Sequence, residues 1–243
     1  MTFEQLLEEN EQLKRQNQLY RDVVAFTGHE WRNQLSLLRL STTSLDQDAG
    51  SQFTEQQRTA LKRIQHSAAA IHRTADNYLM WSRLDRGPFT LNSTFVDLQR
   101  EIFGPVNFLF AEQLATYQQQ VKVHLCQPGL LVWADKSLLV SLYENLLDNT
   151  LRASKPGSTV IVRGYERGHS HEFSIWTDGA GLPDGYLDEI LARFTTGYGD
   201  SSSCGLGVYL AYRIAEAHGG ELRIVSVPES WTNVVVTLPQ RRT

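Results

Sequence analysis

Two asparagines on one face of a predicted helix are the first residues whose types and spacing point to chemistry. Asn145 and Asn149 lie in YENLLDNTLRAS, four residues apart, so both amides project from the same side of the helix. Asparagine is a poor residue inside a helix, because its side chain competes for backbone hydrogen bonds. An amide oxygen suits Mg²⁺, which prefers oxygen ligands and keeps substrate phosphates in its shell. Arg152, one turn further on, could meet a phosphate; the alternative for this face is capping or solvent exposure.

Glycine-rich segments follow this helix. SIWTDGAGLP is a predicted strand running into a turn with Gly179 and Gly181, where the missing Cβ atoms let the backbone approach a planar ligand. A small, polar segment then leads into Gly205-Leu206-Gly207 at a helix start, whose free N–H groups attract phosphates. One glycine pair would be weak support, but the order of asparagine helix, glycine turn, polar segment and glycine-started helix predicts a phosphate-binding site.

A histidine near the N-terminus has the properties of a phosphoryl acceptor. Extending the heptad pattern from Val24 places His29 on the outer face of its helix. A neutral imidazole is nucleophilic near pH 7. Glu30 could polarise the ring N–H, and Asn33, one turn away on the same face, could position a water. Taken alone, an exposed helical histidine is more often an ordinary surface residue.

The segment that contains His29 and the segment that follows it are both predicted to form long helices. Residues 3–27 show a heptad with apolar and asparagine residues at the two seam positions: Phe3, Asn10, Asn17 and Val24, then Leu6, Leu13, Tyr20 and Thr27. Two asparagines on one seam favour a parallel, in-register dimer. The helix is predicted to run to about residue 45, and a second begins at a Thr54–Gln57 capping box. Two such hairpins in a dimer would form a four-helix bundle.

The pattern of predicted secondary structure changes after Gly87 and Pro88, which break the second helix. Predicted helices at about 97–117, 135–154, 184–192 and 205–218 alternate with short β-rich segments that begin near residues 121, 158, 172, 221 and 232. The sequence therefore predicts four regions: an N-terminal coiled coil at 1–27, a helical hairpin at 28–86, a linker at 87–94 and a separate α/β domain at 95–243.

Composition narrows the functional classes. The formal net charge of the 243 residues is −4, which gives no support for a nucleic-acid binder. The two cysteines, Cys126 and Cys204, are far apart, which favours a reduced, cytoplasmic setting over a disulfide framework. No apolar run approaches the ~20 residues that span a bilayer, so no membrane contact is expected within the chain as given.

The sequence resembles sensor histidine kinases of two-component systems over nearly its whole length, because several of its segments resemble the motifs of that family and follow one another in the family's order. VVAFTGHEWRNQL resembles the phosphoacceptor box, and MWSRLDRG resembles the end of the second bundle helix. ENLLDNTLRASKPGSTVIV, WTDGAGLP, ARFTTG and CGLGVYLAYRIAEAHGGELRIVS resemble the nucleotide-binding boxes. The resemblance implies an α+β chain: a helical hairpin that forms a dimeric four-helix bundle, then an α/β sandwich with a mixed sheet, like the ATP-binding domains of gyrase and Hsp90.

The same resemblance implies residue roles. His29 would accept the γ-phosphoryl group of ATP, Glu30 would assist as base, and Asn33 would orient water if the protein also dephosphorylates its partner. Asn149 would hold Mg²⁺. The remaining nucleotide contacts would come from Asn145, Arg152, Thr177 or Asp178, Gly179, Gly181, Gly205, Leu206, Gly207 and a lid over Phe194 to Ser203. The implied partners are a second copy of the chain, the receiver domain of a response regulator and an upstream sensor.

Two positions depart from the family pattern. Gln34 lies where the family usually has proline, so a straighter helix is expected just after His29. The second departure concerns the adenine-reading residue. Alignment on Gly179 and Gly181 places Thr177 where relatives carry the aspartate that reads adenine, and Asp178 is the next residue. Either the Thr177 hydroxyl reads the adenine amine weakly, or the turn shifts so that Asp178 does. This departure keeps a rival open, a non-catalytic dimeric scaffold with a degenerate nucleotide domain. A second rival is a soluble ATPase of the gyrase and Hsp90 type.

Overall fold

The computed structural model describes residues 31, 33–47, 52–84, 90–196 and 205–240, with the backbone alone at 66, 82–84 and 193–196. The chain divides into two compact units, Met1–Gly87 and Pro88–Thr243. The predicted coiled coil at 1–27, His29 and Glu30 lie outside the described residues, as do residues 197–203 of the predicted lid. The four predicted regions, with their boundaries, remain predictions.

The described residues of unit 1 form two helices, α1 at 33–47 and α2 at Glu55–Leu84. The predicted capping box is present: the Thr54 N–H donates to Gln57 Oε1 over 2.9 Å, and the Gln57 N–H donates to Thr54 Oγ1 over 3.3 Å. α2 buries one row of apolar residues (Leu61, Ala68, Ala75 and Leu79) and leaves another exposed (Ile64, Ile71 and Tyr78). An exposed row of apolar side chains on a helix is typical of a surface that binds another protein segment.

In unit 2, the residues that the structure describes form seven strands and several helical segments. The strands are β1 (Ser93–Asp97), β2 (Gln120–Leu125), β3 (Leu131–Asp135), β4 (Thr159–Arg167), β5 (Ser170–Asp178), β6 (Glu221–Val227) and β7 (Trp231–Pro239). The α-helices are α3 (Gly104–Leu109), α4 (Ala111–Thr116), α5 (Lys136–Ala153), α6 (Tyr186–Thr196) and α7 (Leu206–Ala217). A π-helical segment, Leu98–Phe103, precedes α3.

The main sheet is mixed. Its five strands follow the order β2-β4-β5-β7-β6; β2 pairs with β4 in parallel, and all other pairs are antiparallel. β1 and β3 form a separate antiparallel pair. α5 and α7 contact one another, and they pack against β5, β6 and β7. Because successive residues of a strand point to opposite faces, alternate side chains of β5 face the helices.

The core lies between this sheet and its helices. Phe103, Tyr143 and Phe173 join the π-helical segment, α5 and β5, with ring centroids 4.7 and 5.5 Å apart. Burial raises the pKa of the Tyr143 hydroxyl well above its ordinary value, although that hydroxyl donates to Asn107 Oδ1 over 2.9 Å. Leu142, Leu146, Ile175 and Leu210 complete the same interior, each fully buried.

The structure corrects three details of the sequence prediction. β1 and β3 were not predicted, because short apolar runs do not distinguish a strand from a flanking loop or helix end. The single helix expected at 97–117 is three segments, since Pro105 lies at the start of α3 and cannot donate a helical hydrogen bond. α6 extends to Thr196, beyond the predicted end at 192, so the first three residues of the expected lid are helical.

The predicted fold class, a helical part followed by an α/β sandwich with a mixed sheet, is confirmed. Among the helices of the described residues, none combines the length and hydrophobicity required to cross a bilayer.

Candidate functional site

The asparagines are positioned by α5, which starts at a strong cap. Asp135 Oδ1 accepts hydrogen bonds from the N–H groups of Ser137 and Leu138 over 3.0 and 3.3 Å. Burial raises the pKa of the Asp135 carboxyl, but the hydrogen bonds that it accepts from Ser137, Asn92 and Leu138 outweigh burial and leave it below its ordinary value. The capped helix packs its leucine face into the core, which fixes the orientation of the asparagine face.

Gly207 lies directly against both asparagine side chains. A Cβ atom built on Gly207 would be 2.8 Å from Asn145 Oδ1 and 3.1 Å from Asn149 Nδ2. Both distances are shorter than ordinary van der Waals contact, so the first turn of α7 can approach the amides this closely only with glycine at position 207. The structure therefore brings together the two sequence features predicted to meet phosphates, although they lie about sixty residues apart in the chain.

The two amides differ in their hydrogen bonding. Asn145 Nδ2 donates to the Ser141 carbonyl over 2.8 Å, which fixes that amide. Within the described part of the chain, the buried Asn149 Nδ2 has no hydrogen-bond partner. An amide can be turned so that its oxygen takes the position of its nitrogen. The Asn149 side chain can therefore present an oxygen at the site, which fits a hard cation such as Mg²⁺.

The start of α7 supplies the positive end of a helix beside these amides. Gly205 is the N-cap residue, with a φ of 116° and no side-chain hydrogen bond to the helix. Leu206 is buried and holds the turn against the domain. The N–H groups of a helix's first turn have no partner inside the helix, so this end attracts anions. An anion at this place would also be next to Asn145 and Asn149.

The glycine turn after β5 is also closely packed. A Cβ atom on Gly179 would collide with the Ala153 carbonyl at the end of α5, and one on Gly181 would collide with the Val227 carbonyl. Gly181 has a φ of +65°, a conformation that favours glycine. Gly179 bridges to Ser154. These glycines thus attach the turn to the end of α5 and to the end of β6.

Thr177 and Asp178 lie at the end of β5 and face opposite sides of the sheet. The Thr177 side chain is 2% exposed, and its Oγ1 is 2.6 Å from Ser154 Oγ of the segment that ends α5. It therefore faces the helices. Asp178 is the next residue in the strand, so its carboxylate points to the other face. Among the described residues, Asp178 Oδ1 is buried and has no hydrogen-bond partner.

The other predicted residues lie as follows. Arg152 Nε donates to Asp148 Oδ2 over 3.0 Å on the exposed side of α5. Asn33 is exposed on α1 of unit 1. Phe194 belongs to α6, and only its backbone is described. The structure thus groups Asn145, Asn149 and Gly207 in unit 2.

Ser154 is a site residue that the sequence reasoning missed. Its hydroxyl donates to the Thr150 carbonyl over 2.6 Å and contacts Thr177. A serine one turn after a helical threonine was the only local sign, and its partner in β5 is a long-range contact. Across the described ranges, no group of three or more His, Cys, Asp or Glu side chains could hold a metal ion.

The chain is similar to several known proteins. Residues 134–242 match the family of histidine kinase-, DNA gyrase B- and HSP90-like ATPases. The chain is 26% identical over 226 residues to the sensor protein KdpD of Escherichia coli, covering 92% of this chain and 25% of KdpD. It is 27% identical over 237 residues to the signal transduction histidine-protein kinase BaeS of Escherichia coli, covering 95% of this chain and 49% of BaeS.

The chain is similar to sensor histidine kinases over most of its length. The predicted resemblance to this family is confirmed by these matches. The chain spans about half the length of BaeS and a quarter of the length of KdpD. The crystal structure of full-length ShkA in complex with AMPPNP resembles the fold, with a TM-score of 0.65, 18% identity and coverage of 91% of this chain and 46% of ShkA.

Proposed function

We propose that this chain is the core of a sensor histidine kinase, which uses Mg²⁺-ATP to phosphorylate its own His29 and passes the phosphoryl group to an aspartate of a receiver domain. The observation that carries the proposal is the contact of Gly207 with Asn145 and Asn149. It places two amides beside the anion-attracting end of α7, in a domain that matches an ATPase family.

Each residue of this cluster has a role in holding the triphosphate. The N–H groups at Gly205, Leu206 and Gly207 donate to phosphate oxygens, and Asn145 and Arg152 bind nearby. Asn149 would hold Mg²⁺ through its amide oxygen, and a metal ion there would supply charge neutralisation at the phosphates. The protein contributes mainly positioning and charge neutralisation, as in other phosphoryl transfers.

The proposed acceptor and its surroundings belong to unit 1. His29 Nε2 or Nδ1 attacks the γ-phosphorus in line with the leaving ADP oxygen, and Glu30 accepts the proton of the other ring nitrogen. Asn33 is exposed, as required of a residue that orients water in a phosphatase reaction. These roles rest on the sequence pattern and on the relationship to sensor histidine kinases.

A second copy of the chain is the proposed partner of unit 1. The exposed row Ile64, Ile71 and Tyr78 on α2 is the kind of surface that a four-helix bundle covers. A parallel homodimer also agrees with the asparagine-containing heptad at 3–27. The upstream sensor and the receiver domain are further proposed partners.

The test is labelling with ATP that carries a radioactive γ-phosphate. The wild type should become labelled, and His29→Gln should bind nucleotide with unchanged affinity but take up no label. Arg39→Gln, a change on the exposed surface of α1, is the matched control and should be labelled like the wild type. Label that survives in His29→Gln would show that another residue is the acceptor.

A non-catalytic scaffold remains the second candidate, and it is favoured by one observation. Position 177 is the place at which the resembled family carries an adenine-reading aspartate. In this chain the Thr177 hydroxyl already forms a hydrogen bond with Ser154 Oγ over 2.6 Å. A wild-type chain that neither binds nucleotide nor takes up label would support the scaffold. Steady ATP hydrolysis without protein labelling would instead support a soluble ATPase.

A further inference from the structure

His218, at the C-terminal end of α7, makes two hydrogen bonds that define the proton state of its ring. Nε2 accepts from the Asp135 N–H over 3.0 Å, and Nδ1 is 2.7 Å from the Ile214 carbonyl. A backbone N–H only donates and a carbonyl only accepts, so both contacts are satisfied when the ring is neutral and carries its proton on Nδ1. A proton added to Nε2 would set two donors against one another and break the contact with Asp135.

Asp135 is the N-cap residue of α5, so His218 attaches the end of α7 to the start of α5. Asp135 Oδ1 accepts hydrogen bonds from the N–H groups of Ser137 and Leu138 in the first turn of α5. Asp135 Oδ2 accepts one from the Asn92 N–H over 3.0 Å. Because these contacts fix residue 135, the His218 ring holds α7 at a defined position along α5.

α7 runs antiparallel along α5 and contacts it near both of its own ends. Gly207, in the first turn of α7, lies against Asn145 and Asn149, and His218 lies against Asp135. These two contact points are about 16 Å apart along α7, at 1.5 Å per residue. A close-packed interior transmits strain, so a displacement of the end that carries His218 also moves the end that carries Gly207.

The surroundings of His218 favour its neutral form at pH 7. Burial lowers the pKa of His218, and this effect exceeds the opposing effects of the Ile214 carbonyl and the Asp135 carboxylate. Charged side chains on the adjoining elements have partners of their own: Lys136 of α5 with Glu101 over 3.2 Å, Glu216 of α7 with Arg213 over 3.1 Å, and Glu221 of β6 with Arg223 over 3.7 Å.

We propose that His218 is a positioning residue for the phosphate site: its neutral ring holds α7 so that the first turn of that helix meets Asn145 and Asn149, and protonation of the ring weakens nucleotide binding. This inference rests on the proposed nucleotide-binding function. The added positive charge would by itself attract an anion. At about 16 Å that attraction is largely screened, because the Debye length is about 8 Å at physiological ionic strength, so the lost contact determines the sign.

The experiment measures the affinity of the full chain for the Mg²⁺ complex of a non-hydrolysable ATP analogue at pH 7.5 and pH 5.0, by calorimetric titration. His218→Gln places an amide oxygen near the position of Nε2, so it can accept from the Asp135 N–H at both pH values. The wild type should lose about two- to tenfold more affinity than His218→Gln as the pH falls, which corresponds to one hydrogen bond. Comparison of the two chains cancels the titration of the ligand.

Two further variants separate positioning from a general effect of histidine. His124→Gln replaces an exposed histidine of β2 and is the matched control, which should keep the wild-type pH dependence. His218→Asn is too short to reach the Asp135 N–H. It should bind about two- to tenfold more weakly than the wild type at pH 7.5, and its affinity should then depend on pH no more than that of His218→Gln.

Wild-type affinity that is unchanged or higher at pH 5.0 would overturn the role of His218, whether or not the variants fold, and would leave the phosphate site intact. The same pH dependence in wild type and His218→Gln would also refute it. A His218→Asn variant with a lowered urea midpoint but wild-type affinity would show that His218 only stabilises the fold. No binding by the wild type at either pH would overturn the proposed function together with this inference.

Discussion

Replacing Gly207 by alanine should separate nucleotide binding from folding. The added Cβ would be 2.8 Å from Asn145 Oδ1 and 3.1 Å from Asn149 Nδ2, so both amides must move by a few tenths of an ångström or more. Overpacking costs about 1–3 kcal/mol, and the better helix propensity of alanine recovers about 1 kcal/mol. We therefore expect a net loss of stability of about 0–2 kcal/mol.

The effect on binding should be larger than the effect on stability. Hydrogen bonds to charged groups contribute about 1.5–3 kcal/mol each, so loss of one amide contact to the phosphates or their metal weakens nucleotide binding about 10- to 100-fold. Calorimetric titration with Mg²⁺-ATP measures the affinity, and urea denaturation of the same variant measures its stability.

Gly168→Ala is the matched control for this experiment. Gly168 has a φ of +58°, and an added Cβ would meet nothing within 4 Å. Alanine in this conformation costs about 1–2 kcal/mol, so the control loses similar stability without touching the asparagines. Wild-type nucleotide affinity in Gly207→Ala, or an equal loss of affinity in Gly168→Ala, would refute the assignment of the phosphate site.

Two further predictions concern the stability of unit 2. His218 is half-buried, accepts a hydrogen bond from the Asp135 N–H at Nε2 over 3.0 Å, and has its Nδ1 2.7 Å from the Ile214 carbonyl. Burial lowers the pKa of His218, so the stability that its neutral form contributes is fully present above the ordinary value of 6.5 and is lost as the pH falls from there through the lowered folded-state pKa. Urea midpoints should therefore fall between about pH 7.5 and pH 5.5, and His218→Gln should reduce that difference; an unchanged difference would count against this role. Tyr143→Phe removes the 2.9 Å hydrogen bond to Asn107 and should cost about 1 kcal/mol in unfolding free energy, and a variant as stable as the wild type would contradict the importance of that bond.

The sequence predicted the site residues better than it predicted their contacts. The spacing of Asn145 and Asn149 and the glycines at 205 and 207 are local patterns, and each falls on the expected helix. Their mutual contact depends on how α5 packs against α7, which local spacing does not contain. The same holds for Ser154, whose partner Thr177 comes from a strand 23 residues away.

The elements that were missed or misjudged have a common physical cause. β3 is a five-residue run whose burial depends on its pairing with β1, and such pairing is not visible in local periodicity. The helix predicted at 97–117 had the correct apolar period, but Pro105 interrupts its hydrogen bonds. The strands of the main sheet were easier to predict, because their β-branched residues alternate along longer runs.

The most direct test of the central claim is to locate the phosphoryl group after incubation with Mg²⁺-ATP, by mass spectrometry at neutral to alkaline pH, where phosphohistidine survives. One phosphoryl group is expected on the peptide that contains His29, and none is expected on that peptide in Asn149→Ala. Phosphorylation at any other residue, or undiminished phosphorylation of His29 in Asn149→Ala, would contradict it.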